Sequence, residues 1–152
     1  MYKRQWLLAD TLNQRIRRVS RSGVIRTVVG SGPAGFSGDG GPATAARIAT
    51  PRGVAAEKVA GGGFLIPDTD NRWIRRVRDG VIRTVAGTGR PGRRAGDGGP
   101  ATRARLSGPF GISTRRDGGF YICDAGGRRR APRVQDRTHH HRGRDGPAWI
   151  LG

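Results

Sequence analysis

Cysteine, lysine, histidine and long apolar runs are all scarce in this chain of 152 residues. The single cysteine, Cys123, excludes an internal disulfide and a cysteine-based metal site. No run of about 18 apolar residues occurs, so we expect no membrane-spanning helix. The first residues lack the apolar core of a signal peptide, so we expect no leader in this chain and leave its compartment open.

Acidic residues are also few, with 11 against 29 basic ones, which gives a formal net charge of +18. Only Lys3 and Lys58 are lysines. Nucleic-acid binders usually mix the two cations, because lysine serves as a point charge on phosphate. A nearly pure arginine bias with much glycine and alanine is better explained by GC-rich codon usage. The composition therefore disfavours a nucleic-acid surface.

What the chain does contain is an internal repeat. Residues 16–44 read IRRVSRSGVIRTVVGSGPAGFSGDGGPAT, and residues 74–102 read IRRVRDGVIRTVAGTGRPGRRAGDGGPAT. The period of about 57 residues indicates stacked copies of one supersecondary unit.

Short apolar runs between Gly, Pro, Asp and Asn clusters predict β-strands joined by tight turns. One unit contains four strands and one long Gly/Pro loop, in which residues 42–48 are expected to form one or two helical turns with Pro42 at the first position. The predicted strands are residues 5–9, 15–20, 24–29, 52–56, 64–66, 72–78, 81–86, 110–114 and 120–123.

Several motifs recur in the same order in both copies and resemble NHL repeats of the long-loop kind, found in bacterial β-propellers and in teneurin NHL domains. They are D-T-x-N at 10–13 and 68–71, I-R-R-V at 16–19 and 74–77, T-V-x-G-x-G at 27–32 and 84–89, and G-D-G-G-P-A-T at 38–44 and 96–102. The resemblance covers about residues 7–125. It implies an all-β fold, an incomplete propeller of about two and a half four-stranded blades, in a family that is often extracytoplasmic.

On this basis the chain divides into six segments. They are a partial blade (1–31), a long Gly/Pro loop (32–51), a blade (52–88), a second long loop (89–108), the start of a third blade (109–125) and a basic tail (126–152). A repeat unit needs neighbours on both sides, so unpaired blade edges also predict self-association.

The repeat stops after Ala125, and we interpret the tail as frameshifted and disordered. Read one base later with permitted wobble bases, residues 130–152 give V-R-R-V-S-K-T-G-R-I-T-T-V-A-G-T-G-R-P-G-F-S-G, which has the spacing of residues 16–38. Trp149 followed by Ile150 forces a glycine, and His139, His140 and His141 force three positions to Ile or Thr. The metal-binding interpretation of that His tract is therefore disfavoured.

Glycines and aspartates recur at fixed repeat positions. G-x-G-x-x-G occurs at 30–35 and again at 87–92, but no helix is expected to open at the third glycine, so we interpret both as turns rather than as nucleotide sites. Asp39 and Asp97 are predicted to bond nearby loop or helix-end N–H groups rather than a cation. Asp10, Asp68 and Asp124 recur in every unit, which favours a structural role over catalysis.

Two arginine clusters are the densest basic groups: Arg15, Arg17 and Arg18, with Arg72, Arg75 and Arg76. An RNA-reading face usually adds several aromatics, and here Trp73 stands alone among them. We interpret the clusters as solvated strand edges, where charge blocks sheet-to-sheet pairing.

The sequence predicts no catalytic, cofactor-binding or metal-binding residue and leaves the ligand-binding residues unknown. We expect a non-catalytic scaffold, or the remnant of one, for a protein or carbohydrate ligand. Three alternatives stay open: an inactive truncated gene product, a fragment of a propeller lyase or lactonase, and an RNA-binding basic surface.

Overall fold

The structure is a computed structural model that describes residues 5–91 and 95–125, together with the backbone of two later strands. The strands are β1 (Trp6–Asp10), β2 (Arg15–Val19), β3 (Ile25–Val29), β4 (Ala55–Ala56), β5 (Phe64–Asp68), β6 (Trp73–Arg78), β7 (Val81–Gly87), β8 (Pro109–Thr114), β9 (Phe120–Asp124), β10 (Thr138–His140) and β11 (Ala148–Leu151). Three single 3₁₀ turns lie at Thr11–Asn13, Ala43–Ala45 and Ala101–Arg103. Among the described residues no helix is long and apolar enough to cross a membrane.

The strands form three sheets in chain order, β1-β2-β3, β4-β5-β6-β7 and β10-β11-β9-β8. Within the first two sheets every neighbouring pair is antiparallel. Strands β1–β3 repeat β5–β7, and β8–β9 repeat β4–β5. The predicted all-β fold is confirmed, and the sheets are successive blades of an incomplete β-propeller, of which the second is a four-stranded antiparallel unit.

Turn chemistry explains why β6 and β7 pair without a gap. Asp79 and Gly80 connect them with φ angles of 50° and 77°, the left-handed pair that a two-residue hairpin turn requires. In the equivalent connection between β2 and β3 the Ser20 N–H donates to the Val24 carbonyl at 2.9 Å, so the turn inside that bond has three residues instead of two. Gly23 in this turn has φ 80°.

Each long loop lies between two blades and forms part of the core there. The first core joins the first and second sheets through Ile16, Val29, Ala43, Ala46, Ile48, Ile66, Val77 and Ile82. The second joins the second and third sheets through Leu65, Ile74, Val85, Ala86, Ala101, Ala104, Leu106, Phe120 and Ile122.

The helical turns predicted for residues 42–48 are shorter than expected. Only Ala43–Ala45 is helical, as one 3₁₀ turn, and Ala46 is extended with ψ 155°. Ala43, Ala46 and Ile48 all have to face the same interblade core, and a chain that becomes extended after Ala45 achieves this.

Threonine side chains link each blade to the next. Thr11 Oγ1 donates to the Pro51 carbonyl at 2.8 Å and Thr69 Oγ1 donates to the Pro109 carbonyl at 2.7 Å. The same bond therefore recurs at both interblade boundaries.

The third sheet departs from the repeat beyond β9. Strand β11 pairs with β9 in parallel, whereas in the second sheet β6 pairs with β5 antiparallel. Apart from the backbone of β10 and β11, residues 126–152 lie outside the described part of the chain, so the interpretation of the tail as frameshifted and disordered stays a prediction.

Candidate functional site

The recurring D-T-x-N turn is a compact hydrogen-bonded unit in both complete copies. Asn13 Nδ2 donates to Asp10 Oδ1 at 2.8 Å, and Asn71 Nδ2 donates to Asp68 Oδ1 at 2.9 Å. Asp68 Oδ1 also accepts the Ala49 backbone N–H at 2.7 Å. The turn therefore fastens the end of the preceding loop to its own blade.

The third aspartate of the series does the same. Asp124, which is buried, accepts the backbone N–H groups of Ser107 and Gly108 with its two oxygens. These residues occupy the place that Ala49 and Thr50 have one repeat earlier. Asp68 and Asp124 thus contact loop backbone, as the structural interpretation predicts.

A buried arginine extends this unit across the blade boundary. Arg75, fully buried, places Nη1 3.4 Å from Asp68 Oδ2 and Nη2 3.0 Å from Asp39 Oδ1. Its Nη2 also donates to the Ser37 carbonyl at 3.2 Å. One guanidinium therefore joins the turn of the second blade to the loop of the first.

The prediction for Asp39 was right in kind and wrong in partner. Its carboxylate accepts from Arg75 and, at 3.2 Å, from Thr84 Oγ1, both of which belong to the next blade. The glycine-rich loop carries Asp39 to a buried cation, and a charge-assisted bond to that cation is stronger than one to a loop N–H. For Asp97 the expected loop contact stays a prediction.

Aromatic rings cover the buried arginine. The Phe36 ring lies 4.5 Å from Arg75 Cζ and stacks on Trp73 with ring centroids 5.3 Å apart. Asn71 Nδ2 donates to the Gly35 carbonyl at 2.7 Å beside them. Phe36, which has no counterpart in the second loop, thus covers the guanidinium group of Arg75.

Burial raises the pKa of Asp68 to about 6, although the hydrogen bonds from Ala49, Asn71 and Arg75 oppose that rise. A raised carboxyl pKa in a cleft can mark a catalytic acid. Asp68 is fully buried, so no substrate reaches it, and its shifted pKa reflects packing.

The G-x-G-x-x-G stretch at 30–35 is a series of turns. Gly30, Gly32 and Gly35 have φ angles of 96°, 113° and 150°, and a Cβ on Gly30 would lie 2.2 Å from the Gln14 carbonyl oxygen. No helix begins at Gly35. The second copy repeats the positive φ angles at Gly87 and Gly89, while its third glycine lies outside the described residues.

The sequence-predicted arginine clusters do not form one basic face. Arg75 is buried as described above, Arg76 is buried against Glu57 with a 3.0 Å ion pair, and Arg17 pairs with Asp10 at 3.6 Å. The prediction of solvated strand edges is therefore wrong for Arg75 and Arg76, because each has a carboxylate beside it inside the fold.

The part of the chain that the structure describes contains no group of three His, Cys, Asp or Glu side chains placed to hold a metal ion. His139 and His140 lie in β10, whose side chains are outside that part, so the prediction that the His tract holds no metal stays a prediction.

The open cationic site is one that sequence reasoning missed. A groove of about 590 Å³ on the β6–β7 hairpin is lined by Arg76, Arg78, Asp79, Val81 and Arg83. We call it the hairpin groove. Its signal was present in the sequence, since counting outward from the Asp79-Gly80 turn places Arg76 opposite Arg83.

Beneath the hairpin groove lies Glu57, which is 3% exposed. Its two oxygens pair with Arg76 Nε at 3.0 Å and with Arg78 Nη2 at 2.9 Å. Arg78 Nε also donates to the Gly62 carbonyl at 3.1 Å. One buried carboxylate therefore positions two of the three guanidinium groups that line the groove.

No protein-family model and no curated protein sequence matches this chain. Solved structures do. A structural genomics protein of unknown function from Bacteroides thetaiotaomicron VPI-5482 matches with a TM-score of 0.63 and 22% identity, over 78% of this chain and 29% of its own. An auxiliary nutrient binding protein from the same organism matches with a TM-score of 0.54 and 24% identity, over 67% of this chain and 28% of its own.

These two likenesses concern the fold alone. The chain spans less than a third of the length of either protein. They agree with the architecture of stacked antiparallel sheets described above.

Proposed function

We propose that this chain belongs to a non-catalytic NHL-type β-propeller that serves as a binding scaffold for a protein or carbohydrate ligand. The NHL assignment is supported by the order of the repeated motifs and by the bonds that they make. The D-T-x-N aspartate of the second blade binds the backbone of the loop before it, and the threonine of the same motif binds the third blade. The aspartate of G-D-G-G in the first loop binds a buried arginine of the second blade.

The observation that carries the scaffold proposal is the use of the repeated polar groups. Asp68, Asn71 and Asp39 all bond to other parts of the fold. A catalytic group would instead be accessible and distinct in one repeat. Positions that are exposed or half-buried differ between repeats: the exposed Asp70 replaces Leu12, and the half-buried Trp73 replaces Arg15. Such positions can carry a ligand-specific surface.

The similarity to an auxiliary nutrient binding protein supports a binding role. That protein is more than three times as long as the matched region, so its binding property is carried over here only as part of the proposal.

The proposal is tested by titrating the full chain with a panel of defined polysaccharides and peptides. We expect a saturable rise in melting temperature with at least one ligand, because a ligand that binds only the folded state stabilises it. The same mixtures should release no product. Turnover of any panel member would contradict the non-catalytic proposal. A chain that aggregates and binds no panel member would favour the inactive gene product.

A further inference from the structure

We propose that the hairpin groove binds the carboxylates of an acidic carbohydrate polymer such as a polyuronate. This inference rests on the proposed scaffold function and names the ligand class. It starts from a like-charge pair: Arg76 lies directly opposite Arg83 across β6 and β7. Like charges at facing positions of a hairpin destabilise it. Glu57 offsets the charge of Arg76, so a bound anion would relieve the repulsion at Arg83.

The same pair recurs in the first blade. Arg18 lies opposite Arg26 across β2 and β3, and both side chains are exposed although the complete second blade is stacked beside them. The outer part of the interblade surface is therefore open to solvent even where a following blade is present. The hairpin groove has the equivalent position on the second blade, so a polymer in solution can reach it.

In the second blade a buried carboxylate organises the arginines. Glu57 is buried and fixes Arg76 and Arg78 by two ion pairs. Arg115 occupies the equivalent position one repeat later. Because the guanidinium groups are held before a ligand arrives, less conformational freedom is lost on binding.

Arg83 is the cation left for a ligand. It is exposed, and in the described residues no hydrogen bond or ion pair to its side chain occurs. A guanidinium fork matches a carboxylate in shape and can bind it through two parallel hydrogen bonds. Arg83 and the outer face of Arg78, which is 42% exposed, are therefore the expected contacts.

The balance of charge and shape selects the ligand class. Among the described residues, the groove lining and Glu57 together contain three arginines and two carboxylates, those of Glu57 and Asp79, which leaves one net positive charge. This suits one carboxylate per sugar. Among the described residues the lining contains no aromatic ring for stacking a base. Val81, its apolar member, offers no pocket for the apolar anchor that peptide interfaces use.

The experiment is calorimetric titration of the full chain with a defined oligogalacturonate, against the same oligosaccharide after complete methyl esterification. Arg83→Gln should weaken binding about tenfold, the loss of one charge-assisted bond. Arg26→Gln is the matched control, since it removes the same charge from the same hairpin position of the first blade. It should change affinity less than about twofold. Arg83→Lys keeps the charge without the fork and should fall in between.

The inference is overturned if the methyl ester binds equally well, if Arg26→Gln weakens binding as much as Arg83→Gln, or if no oligogalacturonate binds. Tighter binding of poly-glutamate or single-stranded DNA of equal charge would also overturn it. Binding of a neutral glycan alone would sink the groove assignment and leave the scaffold proposal standing. Release of an unsaturated sugar, the product of a lyase, would show catalysis and would contradict the scaffold proposal itself.

Discussion

Replacing Arg75 with methionine should be far more damaging than the same change at Arg17, its counterpart one repeat earlier. Arg75 is fully buried between the carboxylates of Asp68 and Asp39. Arg17 is 28% exposed and pairs with Asp10 at 3.6 Å. Removing one partner of a buried ion pair costs about 3–5 kcal/mol, whereas a solvated pair contributes about 0.2–1 kcal/mol.

The assay is urea unfolding of wild type, Arg75→Met and Arg17→Met, followed by circular dichroism. With a urea dependence of about 1–3 kcal/mol per molar, the midpoint for Arg75→Met should fall by at least about 1 M, and that for Arg17→Met by a small fraction of this. The deficit of Arg75→Met should be smaller near about pH 5 than near about pH 8, because protonated Asp68 needs no counter-charge. Equal losses for the two variants would refute the reasoning.

Three further predictions concern the same parts of the fold. The pKa of Asp68 is raised to about 6 from 3.8, so the folded state binds this proton more tightly than the unfolded state. The resulting stabilisation, about 3 kcal/mol in all, is present below about pH 4 and is lost as the pH rises through about 6. Urea unfolding of Asp68→Asn at a series of pH values should lack this pH-dependent component. Gly89→Ala should lower the melting temperature more than Gly61→Ala, because both have positive φ but a Cβ at Gly89 would lie 2.6 Å from Trp73 Nε1 while none of the protein lies within 4 Å at Gly61; equal shifts would mean that the contact with Trp73 is soft. Resequencing the DNA across codons 85–152 and beyond should restore a frame in which the repeats continue, and a confirmed stop after Gly152 would exclude a sequencing error.

The blade pattern could be predicted from sequence because its signals are local. A strand is signalled by the apolar run that forms it, and a hairpin by the turn residues between its strands, such as Asp79 and Gly80. The structure has a strand at each predicted place within residues 5–125. The helical turns after Pro42 were overestimated, since the need to bury Ala46 and Ile48 between two sheets outweighs local preference.

The contacts of the site could not be predicted in the same way. Asp39 and Arg75 are 36 residues apart, and no local rule links a loop carboxylate to the strand of another blade. Burial of the arginines also depends on which strand face each occupies. In the second blade β6 turns Arg75 toward the first core and Arg76 toward Glu57, so neighbouring residues of one basic run have different surroundings.

The frameshift hypothesis gains a structural criterion. Arginine follows the turn aspartate by seven residues in both complete copies, as Asp10 with Arg17 and Asp68 with Arg75. Seven residues after Asp124 the chain has Ala131, and the shifted frame has arginine there. A restored third blade should therefore pair Asp124 with an arginine, as the second blade pairs Asp68 with Arg75.

The first long loop fastens the first blade to the second through the carboxylate of Asp39 on the buried Arg75. The most direct test is a double-mutant cycle in which Asp39→Asn, Arg75→Met and the double variant are compared by urea unfolding. Because Asp39 is 42% exposed and lies 3.0 Å from Arg75, we predict a coupling energy of about 1 kcal/mol. A coupling energy of zero within error would contradict the claim.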